Sequence, residues 1–474
     1  MLYRLDEEED KQKFQPTKTI CHSETGSYAK ISIVMEFILQ TKKNIARIVF
    51  CALFFMVTAL FRIRAVQNVI PAQFPDTTSY IQEARAPILS TNFLLGARGF
   101  TIPLFFKIAG VQVDRIVWLQ ALFGLLCWTA LALALLKSLS NYWIGLSAFS
   151  LAMLFGLGRE VIVWDSAILS DSISISLFAL TLALALLLIA KWSRFRLAGL
   201  FIAATLWIFT RDTNAFVLGT AAIGILILAF SREQRRRSLI VGIPLLTIAV
   251  LAMIMTVLTG RTNQAVTHNY EQRVLPDPTR EAYFIKEGMP ISPAVQEQAG
   301  EWGLTLLESN NPDITTFREW MLKNGNSVYL QFLISHPKVL FGDPIANRNV
   351  LIAGGEYLIV LPPGYNAPPA WVLLTNITYP KDLTLFIIWV ISVAGLAIIV
   401  TPWKTVVKKW ALPLLLTLIC APAAIIIWNI ELMEVERHAL LIGVQFHLAL
   451  WILLLFSADL IANKTQPINP LAQK

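Results

Sequence analysis

Four short stretches gather side chains that could do chemistry. FPDTTSY carries Asp76 and is followed by Glu83, Arg85 and, within LLGARGFTIPLFFKIAG, by Arg98 and Lys107. REVIVWDSAILSDS carries Arg159, Glu160, Asp165 and Asp171. FTRDTNAFVL carries Arg211 and Asp212, and NIELMEVERHA carries Glu431, Glu434, Glu436, Arg437 and His438. A carboxylate can accept the proton of a hydroxyl as its oxygen attacks a carbon. Arginine and lysine can grip a phosphate and stabilise the charge that grows on it as it leaves. Each stretch also has a plainer reading. Asp76 would be a turn or cap residue in a solvated loop, and Asp171 would cap the helix that begins near Ser172. Arg159 with Asp165, and Arg211 with Asp212, would be local pairs that stabilise turns. The Glu436-Arg437-His438 cluster would be a solvated loop.

The elements that must position these residues are membrane helices. The chain has 474 residues, 56% hydrophobic and only 15% charged, and its mean hydropathy is +0.61. Soluble domains carry about 25% charged residues. The apolar residues come in blocks of about 17–25, long enough to cross a ~30 Å hydrocarbon core. They do not alternate with polar residues as barrel strands would, so the blocks read as helices. The expected fold is an all-α polytopic membrane protein with about ten spans, near 45–66, 115–137, 141–158, 172–191, 196–210, 214–230, 238–259, 382–401, 410–428 and 439–457. The charged start MLYRLDEEEDKQKFQPTK does not read as a cleavable signal peptide, so the first hydrophobic block would direct insertion. Cys21, Cys51, Cys127 and Cys420 lack the spacing of a zinc site or a disulfide framework.

Orientation follows from lysine and arginine in the short connections. Lys42, Lys43 and Arg47, then Lys191, Arg194 and Arg196, then Arg232 and Arg235–Arg237, then Lys404, Lys408 and Lys409 all fall on one side. That side is expected to be cytoplasmic, with both termini on it. The asymmetry explains much of the net charge of +8 without a nucleic-acid partner. The expected organisation is a cytoplasmic tail (1–44), a seven-helix module (45–259) with a first extracytoplasmic loop at 67–114, an extracytoplasmic loop domain (260–381), a three-helix module (382–457) and a cytoplasmic tail (458–474). The middle of the second loop, FREWMLKNGNSVYLQFLISHP, reads as one amphipathic helix ended by Pro337.

On this topology all four charged stretches open onto the extracytoplasmic side, while the span interiors are nearly free of charge. A transporter would place ionisable groups near the midplane, so chemistry at the outer interface is the better expectation. Polyprenyl-phosphate-linked sugars are membrane donors with an anionic leaving group, and they suit a carboxylate set among arginines. In that arrangement the chain resembles the GT-C superfamily of lipid-phosphate-sugar glycosyltransferases, which includes protein O-mannosyltransferases and the lipid A aminoarabinose transferase. The likeness rests on FPDTTSY in a long first outer loop, ARGFTIPLFFKIAG before the second helix, WDSAILSDSISISLFAL entering the fourth, FTRDTNAFVL after the fifth, and the large loop after the seventh. The resemblance implies sugar transfer with inversion to a glycan, lipid or protein acceptor. It implies Asp76 as catalytic carboxylate and Arg98, Arg211, Arg437 and His438 as the donor-phosphate site. Glu83, Arg159, Asp165, Asp171 and Glu436 would support them. Some relatives pair the carboxylate with a metal held by a second acidic motif. Asp165 and Asp171 are not a tight Asp-x-Asp, and no cofactor is expected. The alternatives are a polysaccharide polymerase or ligase of another fold, and a lipid or glycan transporter.

Overall fold

The structure, a computed structural model, describes residues 25–67, 69–301, 305–353, 369–380, 382–430 and 435–465. The chain divides into two compact units, Met1–Leu53 and Phe54–Lys474, and the site lies wholly within the second. All regular structure among the described residues is helical, apart from one isolated parallel bridge between Ala72 and Ala167. The helices used below are α1 (Thr25–Val66), α2 (Pro75–Arg85), α3 (Thr101–Ile108), α4 (Val113–Ser138), α5 (Tyr142–Gly156), α6 (Asp171–Ala190), α7 (Arg194–Ile208), α8 (Thr213–Ile227), α9 (Arg235–Leu258), α10 (Thr262–Asn269), α11 (Pro312–Trp320), α12 (Asn326–Ser335), α13 (Leu383–Val400), α14 (Trp403–Ile430) and α15 (Val435–Thr465).

Among the described residues eight helices are long and apolar enough to cross a membrane, and nine if α5 and the bent segment Arg159–Ser166 form one span. Helix α7 is the remaining expected span. Its 15 residues reach only about 22 Å at ~1.5 Å per residue. It nevertheless returns the chain to the end of the bundle where α6 begins, because Ser170 and Thr210 line the same cavity. The chain is thus a multi-pass helical membrane protein. Helix α4 packs on α5 and α6, α8 on α9, and α14 on α15. Small residues permit close approach, as membrane packing requires. A Cβ built on Gly156 would lie 2.5 Å from the Trp128 ring, so only glycine fits there.

The span interiors are not as free of charge as the sequence suggests. Arg62, about one turn from the end of α1, is buried and paired with Asp165. Asp459 in α15 is also buried; it accepts from Lys409 of α14 (2.7 Å) and from the backbone N–H groups of Ser140 and Asn141 (3.0 and 2.7 Å). That one carboxylate ties three elements at the basic end of the bundle.

The segment after α9 builds a core of its own. Tyr270 sits edge-on to Phe284 and Phe317, with Met321 and Phe332 packed around them. The expected single helix over FREWMLKNGNSVYLQFLISHP is α11, a π-helical turn at Met321–Gly325 and α12 in unbroken succession. It ends at His336, because Pro337 disfavours helical backbone in the residue before it.

Candidate active site

A cavity of about 490 Å³ opens at the end of the bundle where α6, α8 and α15 begin and α7 and α9 end. Asp76, Arg98, Arg211, Arg437 and His438 all line it, although they lie up to 362 positions apart in sequence. Arg261, Arg318, Asp212 and His268 line it too. Among the described residues five arginines and two aspartates line it, and with Asp171 behind Arg211 and Arg437 the wall keeps an excess of positive charge. The N-termini of α6, α8 and α15 add positive dipole ends at the same place. Positive charge and helix N-termini together favour an anion over a cation in such a cavity.

Asp76 is in the first turn of α2, whose entry is fixed by Pro75 and by reciprocal hydrogen bonds between Phe74 and Thr77. Its Oδ1 accepts from Arg98 Nη2 at 2.6 Å, and the pair is part-exposed to the cavity. Arg98 is steered from three directions. Its Nε donates to Ser79 Oγ (2.9 Å), its guanidinium lies 5.1 Å from the Tyr80 ring centroid, and its backbone N–H donates to Glu83 Oε1 (3.0 Å). Burial raises the Glu83 carboxyl above the usual value of 4.5, against the lowering effect of that hydrogen bond and of the Arg98 charge. Gly99 lets this loop lie directly on the end of α7, since a Cβ there would fall 2.2 Å from the Phe209 carbonyl oxygen. Arg211 follows two residues after Phe209.

Arg211 and Arg437 converge on one buried carboxylate. Arg211 Nη2 donates to Asp171 Oδ1 (2.7 Å) and its Nε to Ser170 Oγ (3.0 Å). Arg437 donates through Nε and Nη2 to Asp171 Oδ2 (3.2 and 2.9 Å). Two guanidinium groups on one carboxylate leave a net positive charge facing the cavity. This replaces the helix-cap reading of Asp171, because Ser170 is the N-cap residue and both Asp171 oxygens are engaged over long range. The local Arg211–Asp212 pair is also corrected. Asp212 pairs with Arg261 (3.2 Å) and accepts from Thr256 Oγ1 (2.8 Å).

The proposed turn pair of Arg159 and Asp165 does not form. Asp165 accepts from Arg62 Nε and Nη2 (2.8 and 3.0 Å) and from Ser172 Oγ (2.6 Å), fully buried and outside the cavity. Arg159 does not line the cavity either, and its backbone N–H donates to Thr375 Oγ1 (3.0 Å). Glu83 stands behind Arg98 rather than in the cavity wall. The side chain of Glu436, with Glu431 and Glu434, lies outside the described residues. Among the described residues no three His, Cys, Asp or Glu side chains are grouped to hold a metal ion, and Asp165 and Asp171 are each taken up by arginine.

Several lining residues gave no signal in the sequence. Tyr80, Arg261, Asn263 and Gln264 stand in ordinary polar stretches, and Arg62, behind the cavity, sits in an apolar span where its partner is 103 residues away. A charge inside a hydrophobic block was the one available clue to Arg62. Compared with known proteins, the chain matches no family model and no curated protein.

Proposed function

We propose that this chain is a membrane glycosyltransferase of the GT-C kind, moving a sugar from a polyprenyl-phosphate-linked donor to a glycan, lipid or protein acceptor with inversion. The observation that carries the reading is the placement of Asp76 and Arg98 in one cavity with Arg211 and Arg437. Arg98 occupies Asp76 Oδ1, and Oδ2 is left to face the acceptor. The acceptor hydroxyl oxygen attacks the anomeric carbon while its proton passes to that oxygen of Asp76. The anomeric C–O bond breaks, and its electron pair leaves on the polyprenyl-phosphate oxygen. Arg211 and Arg437, aimed by Asp171, stabilise the phosphate as it gains charge. Because the carboxylate and the phosphate site are held by different helices, nucleophile and leaving group can stand on opposite faces of the sugar, which inversion requires.

On this reading the cavity faces the extracytoplasmic side and the basic connections face the cytoplasm, together with both termini. Purified protein in detergent, given polyprenyl-phosphate-linked sugars and acceptors extracted from the protein's own membranes, is expected to release free polyprenyl phosphate. A transporter has no compartments to work between under those conditions and would release none.

A further inference from the structure

The seven residues Asp165–Asp171 form a buried strip that joins the segment leading into α2 to the arginines of the cavity. From below, the Arg62 guanidinium pairs with Asp165, and Gln120 Nε2 donates to the carbonyls of Asp165 and Ala167 (both 2.9 Å). At its C-terminal end, Ser170 and Asp171 hold Arg211 and Arg437. In its middle it meets the chain that leads into α2. Ala72 N–H donates to the Ser166 carbonyl, and Ile168 N–H donates to the Ala72 carbonyl (both 2.9 Å). Thr77 closes the contact. Its hydroxyl accepts from Phe74 N–H and donates to the Ile168 carbonyl, both at 2.9 Å, and the residue is 2% exposed.

Thr77 therefore does two things with one oxygen. It caps the start of α2, and it fastens that start to the strip that aims the phosphate-binding arginines. Asp76 is the adjacent residue. We infer that Thr77 is a positioning residue which, through its hydrogen bond to Ile168, holds the Asp76 carboxylate in register with Arg211 and Arg437. This rests on the glycosyltransferase reading, and the contact it invokes is the hydrogen bond from the Thr77 hydroxyl to the Ile168 carbonyl beside the two Ala72 bonds. A misplacement of about 1 Å at a reacting group can cost ~10²-fold in rate. Loss of the hydroxyl also strands the Ile168 carbonyl and the Phe74 N–H, which lowers stability, so kinetics of the folded protein and melting are read separately.

The test compares Thr77→Val, which keeps the shape and removes the hydroxyl, with Thr77→Ser, which keeps the hydroxyl. Transfer kinetics are measured with polyprenyl-phosphate sugars from native membranes, alongside melting in detergent and amide hydrogen exchange. The expected result for Thr77→Val is a kcat lower by about tenfold or more, a donor KM within about twofold of the parent, and faster exchange confined to residues 72–80 and 166–168. Thr77→Ser restores both kcat and protection. The inference is overturned if Thr77→Val keeps the parent kcat, if its donor KM rises as far as its kcat falls, or if Thr77→Ser fails to restore what Thr77→Val loses. If the parent protein transfers no sugar, the glycosyltransferase reading fails. The hydrogen-exchange comparison still decides whether Thr77 fastens α2 to the strip.

Discussion

Asp171 shows most clearly how charge is spent at the site. A carboxylate buried in a membrane bundle is costly unless it is paired. Here the pairing is doubled, and the surplus positive charge faces the cavity. Removing one arginine still leaves Asp171 a partner. Arg211→Gln and Arg437→Gln should therefore each fold while weakening binding of polyprenyl phosphate by about tenfold, the scale of a charge-assisted hydrogen bond. The double variant strands a buried carboxylate and should lose on the order of 3–5 kcal/mol of stability. Titration with polyprenyl phosphate and melting in detergent read the two effects separately. At this scale much of the cavity was legible in the sequence. Asp76, Arg98, Arg211, Arg437 and His438 each stand out because charge is scarce beside hydrophobic blocks. Their partners were not legible. The plain readings of Asp171 and Asp212 favoured local partners, whereas the bundle brings Arg437 to Asp171 across 266 residues.

Elements were read from the sequence more fully than their junctions. Nearly every span falls within a few residues of its helix, because length and hydropathy determine both. The α11–α12 helix and its end at Pro337 followed from apolar spacing and from the restraint proline places on its neighbour. The segment Gly158–Asp171 was harder. It bends by 49° from α5 and runs through a 3₁₀ turn stabilised by contacts from α1 and α4, which no local pattern announces. Its anchor is the Arg62–Asp165 pair, closed over by Gly124, where a Cβ would fall 2.0 Å from Arg62 Nη2. Asp165→Asn should destabilise the protein by about 3–5 kcal/mol, because it leaves Arg62 buried and unpaired. Arg62→Met combined with Asp165→Leu should cost clearly less than the sum of the single changes. Melting of the three variants in one detergent forms the double-mutant cycle that checks it.

At the largest scale, the helices of the second unit place basic connections and the cavity at opposite ends. One end collects Lys191, Arg194, Arg196 and Arg232–Arg237, with Lys409 locked to Asp459. The other collects the cavity and the aromatic core around Tyr270. If the basic end is cytoplasmic, a cysteine placed at Arg236 should be shielded from an impermeant thiol reagent in intact cells. One placed at the exposed Gln264 of the cavity should be labelled. The reverse pattern would invert the topology and place the cavity inside. The most direct single measurement is transfer by Asp76→Asn, using sugars and acceptors extracted from native membranes. Loss of a general base costs about 10²–10⁴-fold. The predicted result is a fall in kcat of at least about 100-fold, with polyprenyl-phosphate affinity and melting temperature close to the parent values. Transfer at the parental rate by Asp76→Asn would contradict the assignment of Asp76 as the base.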